Sequence, residues 1–379
     1  MSHYIYYFNP ENDLALASGD AHYTPPASAL QMAKDLQRLP LLWAQAGDRV
    51  LLRTEPPSEG PSSGFTTREE TVTSDARYLS SSFIFTVPPL AGRTGGESAK
   101  GWVFLPWGWS PLAARQLKER GVPPDLLPTA EQLDAYRAAS SRRLAVQLLR
   151  LWRTQCPDAF REGTLVGESS WCTTLAAVAE ACSRYGRSML KAPWSGSGRG
   201  VHPVRAALSA RDEAWALRTL QRQGAVEVEP LYDRILDFAM EFWAERGSVR
   251  YCGLSLFSTT PGGVYAGNLI APEADKERML SRYVSPALLV QVREQLVSLL
   301  STCCLPSWYT GPVGVDMMIV NKETPLPMAL HPLVEINLRM TMGWVALQLA
   351  SQLPHERHGR FRIVHADGHY RHEITFFEA

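Results

Sequence analysis

Two consecutive apolar segments within residues 311–343 constrain the fold more strongly than any other part of the sequence. They read GPVGVDMMIV and HPLVEINLRMTMG, and the Pro-containing segment between them is typical of a hairpin-like turn. Side chains at i and i+2 of a strand share a face, so Glu335 and Asn337 point the same way. If the two strands pair, Asp316 joins them in a cluster of two carboxylates and an amide, ligands that suit Mg²⁺. Arg339, two residues further on, could contact a phosphate.

The composition indicates an ordinary soluble globular protein with more than one domain. The chain has 379 residues, of which 45% are hydrophobic and 20% are charged, so it can bury large cores. Lys+Arg and Asp+Glu are equal at 38 each, which argues against a chain-wide basic surface for nucleic acid. The six cysteines show no zinc spacing, so we expect reduced thiols. Neither a secretory signal nor a membrane span is indicated, and we expect a cytoplasmic protein.

The order of elements predicts three structural units. A strand at residues 4–8, a helix at 28–45 and a second strand at 49–53 indicate an α/β domain with a mostly parallel sheet. A helical segment at residues 128–155 connects this domain to alternating strands and helices, which indicate α+β architecture. The predicted units are residues 1–127, residues 128–228 with a glycine-rich loop, and residues 229–379 with the metal-binding strands.

A second informative segment, KAPWSGSGRGV, joins a lysine to a loop of glycines and serines. A strand delivers Lys191, and Gly196, Gly198 and Gly200 follow it. Glycines let backbone N–H groups converge on an anion, and a lysine adds a positive charge for phosphate. The order of residues excludes the P-loop and the Rossmann fingerprint. Taken alone, such a loop is as often a flexible turn as a phosphate site.

A third segment, VEVEPLYDRILDF, offers groups for a nucleoside. The strand that ends in Glu229, Pro230, Leu231 and Tyr232 could present backbone groups to an adenine edge, where Pro230 supplies a carbonyl but no N–H. Asp237 follows and could accept hydrogen bonds from ribose hydroxyls. The alternative is that these carboxylates are solvated charges at strand ends.

Taken in this order, the three segments resemble the ATP-grasp superfamily over roughly residues 130–350. The resemblance implies a fold class that is α/β and α+β, with a pre-ATP-grasp-like α/β domain before an ATP-grasp fold of two α+β subdomains. It implies a Mg·ATP-dependent ligase that activates a carboxylate as an acylphosphate for attack by an amine. The implied cofactors are ATP and Mg²⁺, with Mn²⁺ as an alternative. The implied partner is a small molecule or peptide with a carboxylate, and homodimers are common among such enzymes.

Carried over by position, the resemblance also implies a role for each motif residue. The ATP phosphates would be bound by Lys191, Ser195, Gly196, Ser197, Gly198 and Gly200. The nucleoside would be bound by Glu229, by the backbone of Leu231 and Tyr232, and by Asp237. The metal would be bound by Asp316, Glu335 and Asn337. The catalytic residues would be Lys191 and Arg339, acting through positioning and charge neutralisation.

The sequence leaves several questions open. An earlier phosphate-binding lysine is usual in the superfamily, and Arg142 or Arg143 would have to replace it here. Asp237 stands where a glutamate is commoner. The loop at residues 9–13 follows a strand, where it could line a ligand crevice or form a local turn. A small-molecule kinase and a non-catalytic nucleotide-binding protein stay as alternatives to the ligase.

Overall fold

The N-terminal unit is built on a four-stranded sheet. A computed structural model describes residues 3–53, 69–71, 102–196, 200–260, 265–302, 305–322, 327–352 and 357–378. The strands of this sheet are β1 (His3–Tyr7), β2 (Arg49–Leu51), β3 (Glu69–Thr71) and β4 (Trp102–Pro106), in the spatial order β3-β2-β1-β4. The central strand β1 pairs in parallel with β2 and β4, whereas β3 is antiparallel to β2. The predicted α/β domain with a mostly parallel sheet is therefore confirmed.

Three helices accompany this sheet: α1 (Asn12–Ser18), α2 (Ala27–Asp35) and α3 (Pro111–Glu119). The strand β1 is aromatic because it lies in the middle of the sheet, and Tyr7 is only 1% exposed. The short helix α1 follows β1 directly, so it begins at the carboxyl edge of the sheet. That edge faces the site described below.

Two helices predicted as continuous are interrupted. The helix expected at residues 28–45 ends with α2, and a separate 3-10 turn, Leu39–Leu42, contains Pro40, which cannot continue an α-helix. The helix expected at residues 128–155 is divided into α4 (Ala130–Ala139) and α5 (Arg142–Gln155). The Ser141 side chain caps α5 by accepting a hydrogen bond from Arg143 N, and serine competes with helical hydrogen bonding in this way.

The second unit contains an antiparallel four-stranded sheet with helices packed on it. Its strands are β5 (Ser170–Cys172), β6 (Ser188–Lys191), β7 (Val201–Val204) and β8 (Val226–Pro230), in the order β5-β8-β6-β7. Its helices are α6 (Pro157–Arg161), α7 (Leu175–Tyr185) and α8 (Ala210–Gln223). The faces of α7 and α8 that meet the sheet supply Val178 and Ala216, both fully buried against Leu190 and Val228. This is α+β architecture, as predicted.

The third unit is a seven-stranded antiparallel sheet in the order β13-β12-β9-β10-β11-β14-β15. Its strands are β9 (Arg234–Glu245), β10 (Ser248–Thr259), β11 (Tyr265–Ile270), β12 (Gly311–Asn321), β13 (Met328–Asn337), β14 (Arg357–Ala366) and β15 (His369–Glu378). Its helices are α9 (Glu273–Leu280), α10 (Pro286–Thr302) and α11 (Met342–Ala350). This unit is also α+β, so the predicted fold class is confirmed, while the domain boundaries at residues 127/128 and 228/229 stay a prediction.

Helices cover both faces of the large sheet. Leu254 of β10 and Leu289 of α10 line the same cavity, whereas a Cβ built on the neighbouring Gly253 would contact Leu347 of α11. Successive residues of a strand point to opposite faces, so α10 and α11 lie on opposite sides. The candidate site is on the α11 side. Within the part of the chain described here, no helix has the length and apolar character needed to cross a membrane.

Candidate active site

The hairpin of β12 and β13 brings the three predicted metal ligands together. Its register sets Asp316 directly opposite Glu335 and sets Gly314 opposite Asn337. The Asn337 Nδ2 atom donates a hydrogen bond to Asp316 Oδ2 at 3.1 Å. Residues directly opposite on paired strands point to the same face, so the two carboxylates and the amide form one cluster.

The charge of this cluster is only partly compensated by the protein. Burial, together with the neighbouring Glu335 carboxylate, raises the pKa of Asp316 above its ordinary value. Glu335 has a counter-ion, because Arg142 Nη2 lies 2.8 Å from its Oε2 atom. Two carboxylates and an amide oxygen are hard ligands that leave room for water and phosphate oxygens, which fits Mg²⁺. Over the residues that the structure describes, no group of three or more His, Cys, Asp and Glu side chains is arranged for a metal, so the amide of Asn337 is needed to complete a set of three.

Arg339 lies directly after β13, and its turn is held by the N-terminal unit and by α4. The Arg339 Nε atom donates to Asp13 Oδ1 at 2.8 Å. On one side of it, the Tyr136 hydroxyl donates to the Leu338 carbonyl. On the other side, Met340 N donates to a carbonyl of the β4–α3 loop at 2.8 Å. Three consecutive residues are therefore fixed from outside their own sheet. Burial lowers the pKa of Arg339, but the Asp13 carboxylate and, less strongly, the carboxylates of Glu335 and Asp316 raise it.

Lys191 forms a buried ion pair at the end of β6. Its Nζ atom lies 2.7 Å from Glu229 Oε1, and both side chains are less than a tenth exposed. Burial lowers the pKa of Lys191, but the carboxylates of Glu229 and Glu227 outweigh this effect and leave the pKa raised. Burial raises the pKa of Glu229, against the opposing effect of Lys191. Lys191 is thus charged, and a phosphate that binds it would have to compete with Glu229.

The two ends of the glycine-rich loop lie next to each other after β6. Ala192 N donates to the Gly200 carbonyl at 2.8 Å, which closes the base of the loop, and Gly200 has a φ of +67° that favours glycine. The hydroxyl of Ser195 is buried without a hydrogen-bond partner among the described residues. Two further loop residues of the predicted phosphate site, Ser197 and Gly198, lie outside the described residues.

The segment predicted to bind the nucleoside is partly engaged within the protein. Leu231 N donates to the Arg187 carbonyl at 2.8 Å, so this N–H group is already used, and the Leu231 carbonyl is the group left for adenine. The Tyr232 hydroxyl accepts a hydrogen bond from Glu168 N at 3.0 Å. Roles for both residues in adenine binding stay a prediction.

Asp237 lies on the site face of β9. It pairs with Met318, two residues along β12 from Asp316. Its Oδ2 atom lies 2.5 Å from Arg234 Nη1, and the Thr259 hydroxyl donates to the same oxygen at 3.4 Å. Burial raises the pKa of Asp237. The position is compatible with a ribose contact, which stays a prediction.

Of the two arginines at the start of α5, only Arg142 faces the site. Arg142 is 6% exposed, whereas Arg143 lies on the exposed side of the helix. Besides the hydrogen bond to Glu335, the Nε and Nη1 atoms of Arg142 are buried without a partner among the described residues. Buried polar groups are nearly always hydrogen-bonded, and a guanidinium with two spare N–H donors is suited to an oxyanion such as phosphate.

The loop at residues 9–13 is both scaffold and site. Asn9 Nδ2 donates to the Gly108 carbonyl at 2.8 Å, and the amide of Asn12, in the orientation that satisfies it, donates to the same carbonyl at 2.9 Å. These two residues fasten the loop to the segment after β4. Asp13 instead reaches Arg339, and this contact could not be predicted from the sequence because 326 positions separate the two residues.

Glu241 is a second site-face carboxylate that the sequence analysis did not identify. It is 1% exposed on β9, opposite Gly314 of β12. The Thr341 hydroxyl donates to its Oε1 atom at 2.7 Å, while Oε2 has no partner within the described chain. Burial raises the pKa of Glu241 to about 8. Gly314 and Gly343 flank the carboxylate, and a Cβ on Gly343 would lie 2.1 Å from it, but neither glycine is near Glu241 in the sequence, so no sequence signal marked this residue.

Comparison with known proteins gives matches among solved structures alone. No protein-family model matches the chain, and no curated protein matches it in sequence. The chain is similar to an N5-carboxyaminoimidazole synthetase from Staphylococcus aureus complexed with ADP, at 12% identity and a TM-score of 0.41, covering 69% of this chain and 65% of that one. It is similar to a biotin carboxylase–β-γ-ATP complex from Campylobacter jejuni, at 15% identity and a TM-score of 0.43, covering 69% and 59%.

A third similar structure is described as a putative ATP-grasp superfamily protein from Archaeoglobus fulgidus, at 14% identity and a TM-score of 0.40, covering 73% of this chain and 76% of that one. The chain spans less than two thirds of the length of the first two matches. At this distance the matches assign no activity, and the site is interpreted from its own residues.

Proposed function

We propose that this chain is an ATP-grasp enzyme that uses Mg·ATP to join a carboxylate to an amine. The observation that carries the proposal is the convergence of an oxygen cluster with two arginines at the end of one hairpin. Asp316 and Glu335 face each other across β12 and β13, Arg142 bonds to Glu335, and Arg339 follows the same strand. Carboxylates for a divalent cation beside guanidinium groups for phosphate are what phosphoryl transfer requires.

The residues of the cluster would hold Mg²⁺, with Mn²⁺ as an alternative, through Asp316, Glu335 and Asn337. When bound, the ion neutralises phosphate charge and fixes the orientation of the phosphate oxygens. The raised pKa of Asp316 supports this assignment, because a buried carboxylate that is costly to ionise alone gains most from a nearby cation.

The cationic side chains would bind the phosphates of ATP. Arg142 has two spare N–H donors in the site, and Lys191 carries a charge that Glu229 now neutralises. Phosphate oxygens compete well for both, because hydrogen bonds between charged partners are about twice as strong as neutral ones. Arg339 would stabilise the phosphoryl group in transfer. Asp237 and the segment after β8 would bind the nucleoside.

The proposed reaction has two steps. An oxygen of the substrate carboxylate attacks the γ-phosphorus, the P–O bond to ADP breaks, and an acylphosphate forms. The amine nitrogen then attacks the acyl carbon, a C–N bond forms, and inorganic phosphate leaves while the amine loses a proton. We expect a small molecule or a peptide as the source of the carboxylate.

Hydroxylamine trapping tests this proposal directly. The protein is incubated with Mg·ATP, hydroxylamine and a panel of carboxylates, and the formation of hydroxamate and ADP is measured. We expect Asp316→Asn and Glu335→Gln to abolish both products while circular dichroism stays unchanged. Glu245→Gln, an exposed glutamate at the end of β9, is the matched control and should retain activity.

The outcomes separate the alternatives. A stable phosphate ester without hydroxamate would identify a small-molecule kinase built on the same site. Binding of Mg·ATP without turnover on any carboxylate would identify a non-catalytic nucleotide-binding protein. Absence of Mg·ATP binding at about millimolar concentration, the upper end of ordinary enzyme affinities, would refute the nucleotide site altogether.

A further inference from the structure

A pocket between the N-terminal unit and the β13–α11 turn adjoins the metal cluster. Its enclosed volume is about 20 Å³, enough for about one water molecule, and the pocket is open to solvent on one side. The walls come from four places: α1 supplies Asp13, the connection between α4 and α5 supplies Ser140, the start of the glycine-rich loop supplies Ser195, and the third unit supplies Glu335, Asn337 and Arg339. Two of these walls carry the groups proposed above for phosphoryl transfer. The wall formed by α1 has no role in that proposal.

The loop that carries Asp13 is unusually well fixed. Glu11 is 1% exposed and its Oε1 atom lies 2.5 Å from Arg53 Nη2. Asn9 and Asn12 are bonded to the segment after β4, and Asn12 N also donates to the Asn9 carbonyl at 3.1 Å. The polar residues before Asp13 are thus buried and held by the N-terminal unit, although the second oxygen of Glu11 has no hydrogen-bond partner among the described residues. Asp13 is 22% exposed and points away from it into the pocket.

The two oxygens of Asp13 have different surroundings. Oδ1 accepts the hydrogen bond from Arg339 Nε at 2.8 Å. Oδ2 faces Gly196, where a Cβ would lie only 1.9 Å from it, so a side chain at that position of the loop would displace the Asp13 carboxylate. The structure assigns Oδ2 no hydrogen bond within the described residues. A carboxylate oxygen is therefore available beside the loop that would cover the triphosphate.

Ligand binding changes the charge balance at Asp13. In the structure Arg339 neutralises it. Phosphate drawn onto Arg339 would share or remove that counter-ion, and it would leave a partly buried carboxylate close to further negative charge. Burying an unpaired charge is costly, so a positively charged ligand group beside Asp13 would be strongly favoured. The incoming amine of the proposed reaction supplies such a group when it arrives protonated.

We propose that Asp13 binds the attacking amine in its ammonium form, so that the second substrate of this enzyme is a primary amine recognised by a carboxylate of the N-terminal unit. The bound ammonium releases one proton to solvent through the open side of the pocket before its nitrogen attacks the acyl carbon, and it loses the second proton as the amide forms. This inference rests on the ligase function proposed above. The competing explanation is that Asp13 only holds Arg339 in place. The two explanations differ in which half-reaction depends on the charge of Asp13.

The experiment compares two nucleophiles in the same enzyme. N-acetylated amino acids, which carry no ammonium group, serve as carboxylates, and the acylphosphate is captured either by hydroxylamine, a neutral nucleophile, or by a panel of free amino acids as amines. The variants are Asp13→Asn, which keeps an oxygen for Arg339 but loses the charge, and Asp13→Ala, which loses both. Asp134→Asn, an exposed acid on α4, is the charge-matched control.

We expect Asp13→Asn to lower kcat/KM for the amine at least about tenfold more than it lowers hydroxamate formation, because a hydrogen bond between charged groups is lost. The effect should be in the KM for the amine, and Asp134→Asn should change neither rate. The inference would be overturned if Asp13→Asn lowered both rates equally. It would also be overturned if Asp13→Ala lowered the rates while Asp13→Asn had the activity of the wild type. Either result would leave Asp13 as a support for Arg339. No hydroxamate from the wild-type protein with any carboxylate would instead refute the ligase function and this inference with it.

Discussion

Replacing Glu241 with Gln should stabilise the protein at alkaline pH and leave its stability unchanged in mild acid. Burial raises the pKa of Glu241 from the ordinary 4.5 to about 8 in the folded protein. The folded state therefore binds this proton more tightly than the unfolded state. The stabilisation is fully present below the unfolded pKa and is lost as the pH rises through the folded pKa.

The magnitude follows from the size of the shift. Each pKa unit corresponds to about 1.4 kcal/mol, so the wild-type protein should lose about 4 kcal/mol of this contribution between about pH 5 and about pH 8. Glutamine reproduces the neutral form of the side chain, and its oxygen can still accept the hydrogen bond from the Thr341 hydroxyl. The variant should therefore show none of this loss.

Urea unfolding at about pH 5 and about pH 8.5 measures the difference, and these values lie on either side of the folded pKa. The fluorescence of Trp243 and Trp344, whose rings are 5.3 Å apart beside Glu241, reports on the relevant sheet and helix. Glu245→Gln, on the same strand but exposed, is the control and should follow the wild-type pH dependence. If Glu241→Gln also loses stability with pH as steeply as the wild type, the carboxyl is ionised in the folded protein and the reasoning is refuted.

Three further variants test other parts of the site. Arg142→Gln should weaken Mg·ATP binding about tenfold or more in calorimetric titration, whereas Arg143→Gln should not; equal effects would contradict the assignment. Gly343→Ala should lower the unfolding free energy by about 2–3 kcal/mol in urea titration, because its Cβ would overlap Glu241; an unchanged midpoint would show that α11 moves freely. Tyr136→Phe leaves a buried carbonyl unpaired and should cost about 1–3 kcal/mol by the same measurement, unless that carbonyl finds another donor.

The sequence predicted those features that depend on local spacing. Glu335 and Asn337 share a face because the side chains of a strand alternate, and Asp316 meets them because a short connection between two apolar strands favours an antiparallel pair. The glycine-rich loop after Lys191 is recognised by composition. Each of these predictions needs only a few neighbouring residues and the regular geometry of a strand.

Features that depend on how distant segments meet could not be predicted in this way. Sequence spacing does not distinguish Arg142 from Arg143, because the choice depends on the break between α4 and α5 and on the rotation that the Ser141 cap gives to the new helix. The carboxylate next to Arg339 comes from Asp13, at the other end of the chain. Partners of this kind are set by packing between units, for which a single sequence carries no periodic signal.

Each cation at the centre of the site already has a carboxylate partner: Lys191 with Glu229, Arg142 with Glu335, and Arg339 with Asp13. Phosphates that take Lys191 and Arg339 would release Glu229 and Asp13, and each would then need a new partner to avoid a buried unpaired charge, whereas Arg142 can bind phosphate through its spare N–H donors and keep Glu335. Glu335 would gain the metal ion, and Glu229 would gain hydrogen bonds from the nucleoside. For Asp13 the reaction itself offers one positive group, the protonated amine. The need of a buried carboxylate for a positive partner thus accounts both for the ion pair with Arg339 in the structure and for the proposed amine substrate.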